Sequence, residues 1–180
     1  MAESTFTLNQ YFNTMLSYNE LLEANAIYTK AIENTDFKIP TKATLEFMLW
    51  AKREKIRFGP YQNLTFFEIS NRIYSDLVLL KAAQILFEEH HIKSIQLKMS
   101  NYSGSDLIVI DKDNKEIKGE AFNTAHSFFQ IKMRKELKKL KDEPNGIIAF
   151  NDCALSDKNK VFLERKKLDY PWVLFVGCET

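Results

Sequence analysis

The apolar positions change their spacing along the chain, and the changes predict its elements. Over residues 65–90, Ile69, Ile73, Leu77, Leu80, Ala83 and Phe87 recur at mostly three- and four-residue intervals. That spacing puts them on one face of a long helix. Over residues 92–99, Ile95 and Leu97 alternate with Ser94, Gln96 and Lys98, the period of a strand. Residues 100–105 read as a turn, 106–110 as a short apolar strand, 111–115 as a hairpin connection and 117–122 as the returning strand. A second helix starts at Ser127, which has capping-box spacing to Gln130, and carries Phe129, Met133, Leu137 and Leu140 as its stripe. Pro144, Asn145 and Gly146 end it. Residues 147–150 and 172–176 are continuous apolar runs, as strands covered on both faces are. Residues 160–167 read as a short helix between them.

Before residue 60 the texture is different. The chain reads as helical pieces over 8–22, 23–32 and 43–55, punctuated by Pro40 and by Phe58, Gly59 and Pro60. The 180 residues therefore predict one domain: a helical N-terminal extension (1–60) on an α/β core (65–180). The core is a mixed central β-sheet flanked by helices.

Composition narrows the class. Hydrophobic residues at 45% with a net charge of +1 exclude wholesale disorder. Five glycines and four prolines exclude a collagen-like or low-complexity chain. Cys153 and Cys178 are too few for a disulfide scaffold and have no CxxC spacing, which points to buried thiols in a reducing compartment. No segment approaches the roughly 18–20 apolar residues of a membrane span. The first residues lack a basic stretch followed by an apolar one, so a cytoplasmic protein is expected.

The near-neutral total excludes a bulk attraction to polyanions, but the charge is unevenly placed. Residues 1–90 carry 9 basic and 11 acidic side chains, and residues 91–180 carry 16 and 13. The excess concentrates at 132–141, where Lys132, Arg134, Lys135, Lys138, Lys139 and Lys141 accompany one acid, Glu136. This helix has the composition for phosphate contacts, and equally that of a solvated amphipathic face. Asn123, Thr124, His126 and Ser127 fall at its start, where phosphate oxygens are favoured; ordinary capping explains them too.

Two acids stand out by position. Asp106 opens an apolar strand after a glycine-containing turn, and Glu120 lies in the strand paired with it across a hairpin. Carboxylates brought together there are the usual ligands of a hard divalent cation, Mg²⁺ or Mn²⁺. Such a cation activates water and stabilises the charge built up in phosphodiester hydrolysis. Read singly, Asp106 is equally a turn-closing residue and Glu120 a solvated strand residue. The adjacent His90 and His91 point apart on a helix and suit its negative end better than a metal. The chain has no GxxxxGK[ST], GxGxxG or GxSxG motif.

On these positions the chain, over residues 74–176, resembles the PD-(D/E)XK nuclease superfamily, the restriction-endonuclease-like fold. The order helix, β-hairpin, helix, strand is similar. Ser103-Gly104-Ser105-Asp106-Leu107-Ile108-Val109 resembles the first acidic motif, with Ser105 where proline is often found. Gly119-Glu120-Ala121-Phe122-Asn123 resembles the E-x-K motif. The resemblance implies Asp106 and Glu120 as metal-binding acids and Asp76, on the preceding helix, as a further one. It implies a restriction-type endonuclease on double-stranded DNA, acting as a symmetric homodimer on palindromic sites. The E-x-K lysine position, however, holds Phe122. Lys132 and Lys118 are the candidates to replace it, Lys132 being slightly preferred. Two other readings stand beside this one. A nuclease fold that has lost catalysis would serve as a nucleic-acid-binding or assembly module. An unrelated α/β interaction domain would point Asp106 and Glu120 apart, and Asp76 would then pair with Arg72.

Overall fold

A computed structural model describes residues 5–40, 43–99 and 104–179. The molecule is built on one long helix, α4 (Phe66–His90). Its start is fixed by a capping box: the Thr65 N–H donates to Glu68 Oε2 at 2.7 Å, and the Glu68 N–H donates to Thr65 Oγ1 at 3.3 Å. It ends where His91 turns left-handed, at φ 52°. The 25 residues span about 37 Å.

A five-stranded sheet lies against α4. It runs β4 (Ser94–Leu97), β5 (Leu107–Ile110), β6 (Glu116–Phe122), β7 (Gly146–Asn151), β8 (Val173–Cys178), in that spatial order. β5 runs antiparallel to both β4 and β6, and β6, β7 and β8 are parallel. The parallel connections pass through α5 (Phe129–Lys139) and α6 (Asp157–Asp169). Asp111 closes the β5–β6 hairpin by accepting from the Asp113 and Lys115 N–H groups, both at 2.9 Å. Most of the turn expected over 100–105 lies outside the described residues.

Each face of the sheet has its own core. Ile95, Leu97, Leu107, Val109, Ile147, Ala149 and Val176 pack with the α4 side chains Val78, Leu79, Ala82, Ala83 and Leu86. Phe122, Ile148, Phe150 and Val173 pack with Phe129, Met133, Leu137 and Leu163 of α5 and α6. Helices on both faces explain why β7 is buried along its whole length and why its sequence does not alternate. The mixed α/β class with a flanked central sheet is therefore as expected.

The region before residue 65 corrects the expectation of a purely helical extension. Helices α1 (Asn9–Phe12), α2 (Tyr18–Glu33) and α3 (Thr44–Arg53) are present, but so is a three-stranded antiparallel sheet. Its strands are β1 (Thr5–Phe6), β2 (Lys55–Phe58) and β3 (Tyr61–Thr65), in the order β1-β3-β2. Gly59 and Pro60, which read as punctuation, form the β2–β3 turn, with Gly59 at φ 54°. The strands are short and one-sided, too brief for a two-residue period to stand out. Phe6, Phe12, Leu21, Tyr28, Tyr61 and Leu64 join the α4 core, so the extension shares the core of the main sheet. Leu16 also pairs with Ile95 on the outer edge of β4, through hydrogen bonds of 2.7 and 2.9 Å.

Gly119 leaves room for the side chains of the two strands beside it, β5 and β7. A Cβ at this position would sit 2.6 Å from Leu107 Cδ1 and 2.9 Å from Ile147 Cβ. Gly119→Ala is expected to destabilise the fold by about 1–3 kcal/mol. A lowered urea midpoint with an unchanged slope measures this.

Candidate active site

Pairing of Leu107 with Gly119 sets Asp106 beside Glu120. The two acids do converge: their carboxyl groups interact directly, each influencing the other's ionisation. Asp106 Oδ2 accepts from the Ala121 N–H at 2.9 Å. Glu120 faces α5 and is only 3% exposed. Burial is the main cause that pushes Glu120 up to about 7. Burial likewise raises Asp106, against the opposing pull of the Ala121 N–H and Lys139.

The lysine facing this pair is Lys139. Its amine contacts Glu120 Oε2 and lies 2.6 Å from Glu136 Oε2. At that distance the Lys139 ammonium is the charge partner of the buried Glu136 carboxylate. The two glutamates hold the Lys139 ammonium above the usual lysine range, despite its partial burial. Neither Lys118 nor Lys132 takes this place. Lys118 pairs with Glu143 at 2.9 Å. Lys132 lines a small chamber of about 100 Å³ that also contains Asp106, Asp76 and Lys98. Phe122, at the motif position of the lysine, packs with Phe129 and Phe150, ring centroids 5.8 and 6.1 Å away.

One sequence signal pointed to Lys139. Glu136 is the lone acid of the basic stretch and falls beside the stripe of Phe129, Met133, Leu137 and Leu140. An acid turned inward needs a cation, and Lys139 is one turn away. Lys139 belonged instead to the expected phosphate-binding face. Of that face, Arg134 lies over the Phe162 ring at 5.0 Å, and Lys135 and Lys138 are exposed.

Asp76 does not complete a three-acid cluster. Among the described residues, no three His, Cys, Asp or Glu side chains are grouped for a metal ion. Asp76 is 1% exposed and its Oδ2 accepts from the Tyr61 hydroxyl at 2.5 Å. The Tyr61 and Tyr28 hydroxyls are in turn 2.7 Å apart. Burial, aided by Asp76, pushes both phenols far up, so they remain neutral donors. This chain of three groups ties the N-terminal sheet to the floor of the chamber.

The rim is held by two buried asparagines. Asn151 Oδ1 accepts from the Thr124 N–H at 2.9 Å, and its Nδ2 donates to the Thr124 carbonyl at 3.1 Å. Asn159 Nδ2 donates to the His126 and Ala154 carbonyls, both at 2.8 Å. These contacts replace the expected Ser127–Gln130 capping box. Residues His126–Phe128 form a 3-10 turn, the cap of α5 is Phe128, and Ser127 is exposed. Asn123 lines the chamber.

Two adjacent carboxylates suit Mg²⁺, which is commonly held by one or two carboxylates together with water and phosphate. Burial holds both carboxyls above their ordinary range, so a cation seated between them would compete with a proton. No protein-family model, no curated protein and no solved structure matches the chain. No helix among the described residues is long and apolar enough to cross a membrane.

Because the folded value of Glu120, about 7, lies above its ordinary 4.5, the fold binds a proton the unfolded chain releases. The contribution of Glu120 to stability is therefore complete below about pH 4.5 and lost as pH rises to about 7. Glu120→Gln is expected to flatten that part of the stability profile. Lys139→Met is expected to move the Glu120 carboxyl ¹³C titration still higher, since Lys139 is what holds it down. Separately, Tyr61→Phe removes the Asp76 donor and strands the Tyr28 hydroxyl. It is expected to cost about 1–3 kcal/mol in denaturant unfolding.

Proposed function

We propose that this chain is a metal-dependent phosphodiesterase acting on nucleic acid, a restriction-type DNA endonuclease in its specific form. The observation that carries the reading is the Lys139 amine on Glu120, beside Asp106. A hydrolytic site of the PD-(D/E)XK kind needs two acids and a lysine, and the strand supplies only the acids. Here α5 supplies the lysine. The antiparallel β4–β5–β6 meander, followed by helix and parallel strand, supports the restriction-endonuclease-like core.

Asp106 and Glu120 would hold Mg²⁺ or Mn²⁺. When bound, such a cation polarises a phosphoryl oxygen and acidifies water. Glu120 gives up its proton as the cation site forms, so cation affinity rises with pH through about 7. Lys139 remains protonated between two glutamates, which excludes it as a general base. Its ammonium instead orients the attacking water and donates to the phosphoryl oxygen that gains charge. Phe122, Phe129 and Phe150 form a dry floor behind the acids. Double-stranded DNA as target and a symmetric homodimer as assembly belong to the same proposal.

A second reading has its own support. Lys139 already supplies positive charge to both Glu120 and Glu136, as an ammonium standing in for a metal does in a binding or assembly module. Cleavage of mixed DNA substrates with Mg²⁺ or Mn²⁺ separates the two. The nuclease reading expects metal-dependent cutting, abolished by Glu120→Ala and Asp106→Ala and slowed about 10²–10³-fold by Lys139→Ala. No cutting by the wild type, with no Mn²⁺ binding by calorimetry, leaves the binding or assembly role.

A further inference from the structure

A second cavity adjoins the chamber at Asp106. It is a groove of about 450 Å³ lined by Glu68, Asn71, Arg72 and Ser75 of α4 and, opposite, by Asn123 and Lys132. Ser75, Asn123 and Lys132 also line the chamber, so groove and chamber are continuous. Anything seated in the groove reaches Asp106.

The groove has the chemistry of a phosphate-bearing ligand. Its two cations are Arg72 and Lys132, and Lys98 stands at the chamber end. Lys132 is half-buried, and among the described residues its amine has neither a hydrogen-bond nor an ion-pair partner. The one acid, Glu68, is neutralised in place. It accepts from Lys55 at 2.9 Å and from the Thr65 N–H and hydroxyl at 2.7 and 2.8 Å. Asn71 and Asn123 add neutral donors. None of the described lining residues is aromatic, so none of them offers a face for base stacking. The contacts on offer are to a backbone.

We propose that this groove seats one phosphodiester strand, gripped at a phosphate by Lys132 and Arg72 and led along α4 to Asp106. The proposal rests on the phosphodiesterase reading for the role of Asp106, but not for the binding itself. The cleft is sized for one strand: 450 Å³ lies within the small-ligand range of about 300–1,000 Å³, and one backbone fits it whether that strand is unpaired or belongs to a duplex lying across the mouth. Lys132 and Lys139 then have separate tasks, the first on the strand and the second on the acids.

The test is binding in EDTA, where no cutting occurs. Fluorescence anisotropy would compare labelled oligothymidylate, oligouridylate and a duplex of the same length. The protein would be wild type, Lys132→Gln, Arg72→Gln and, as an off-site control, Lys160→Gln on α6. Binding is expected for at least one probe, and the tightest of the three identifies the sugar and whether the strand is paired. Lys132→Gln and Arg72→Gln are each expected to weaken binding about tenfold. Each should also lower the salt slope by roughly 0.7. Circular dichroism confirms that the variants are folded. Wild-type affinity in Lys132→Gln, an equal loss in Lys160→Gln, or no binding to any probe overturns the proposal. Groove-dependent binding without metal-dependent cutting overturns the nuclease reading alone. Cutting with no effect of Lys132 overturns the groove alone.

Discussion

The burial of α4 is the constraint on which the rest of the chain depends. A helix beside a sheet normally keeps a wet face, yet Val78, Leu79, Leu80, Ala82, Ala83 and Leu86 are all buried. The sheet covers one side of these positions. The other side is covered by the N-terminal residues, including α2 and the Tyr28–Tyr61 pair. The first sixty residues are therefore not an appendage hung on a finished domain. Without them α4 would expose an apolar flank and a buried carboxylate, Asp76, whose tyrosine donor would be gone.

Legibility in the sequence followed the strength of each periodic signal. The long amphipathic helix, the hairpin around Asp111 and the unalternating β7 all came through, whereas β8, read as a central strand, lies at the edge of the sheet. Their patterns extend over enough residues, or use turn chemistry with a clear mechanism. The N-terminal strands did not, because two to five residues are too few to separate a strand from a loop, even in β2, where Lys55, Ile56, Arg57 and Phe58 alternate. The α5 start was misassigned for a different reason. Ser127 and Gln130 have the right spacing, but Asn151 and Asn159, distant in sequence, hold the backbone in a 3-10 turn instead. Local pattern cannot show a clamp made by residues 27 and 33 positions away.

The site divides in the same way. Asp106 and Glu120 lie in adjoining strands of one hairpin, so their approach follows from local register and could be anticipated. Lys139 reaches them from a helix on the opposite side of a crossover, and its distance from Glu120 depends on how α5 lies across the sheet. Composition pointed the other way, since a lysine in a basic run is most simply read as solvated. Asp76 was correctly singled out as an acid on an apolar face. One of its partners is a phenol from β3, which no pattern around residue 76 announces.

The two hydrogen bonds between Leu16 and Ile95 have a topological effect. An unpaired edge strand is a template for other chains, and β4 would be one. Leu16 occupies part of that template and turns one end of the sheet into a closed boundary. At the opposite border, β8 pairs among the described residues only with β7. Growth of this sheet by strand addition is therefore directional. A partner strand, from a second copy or another protein, meets an open ladder at residues 173–178 and a stopped one at Ile95.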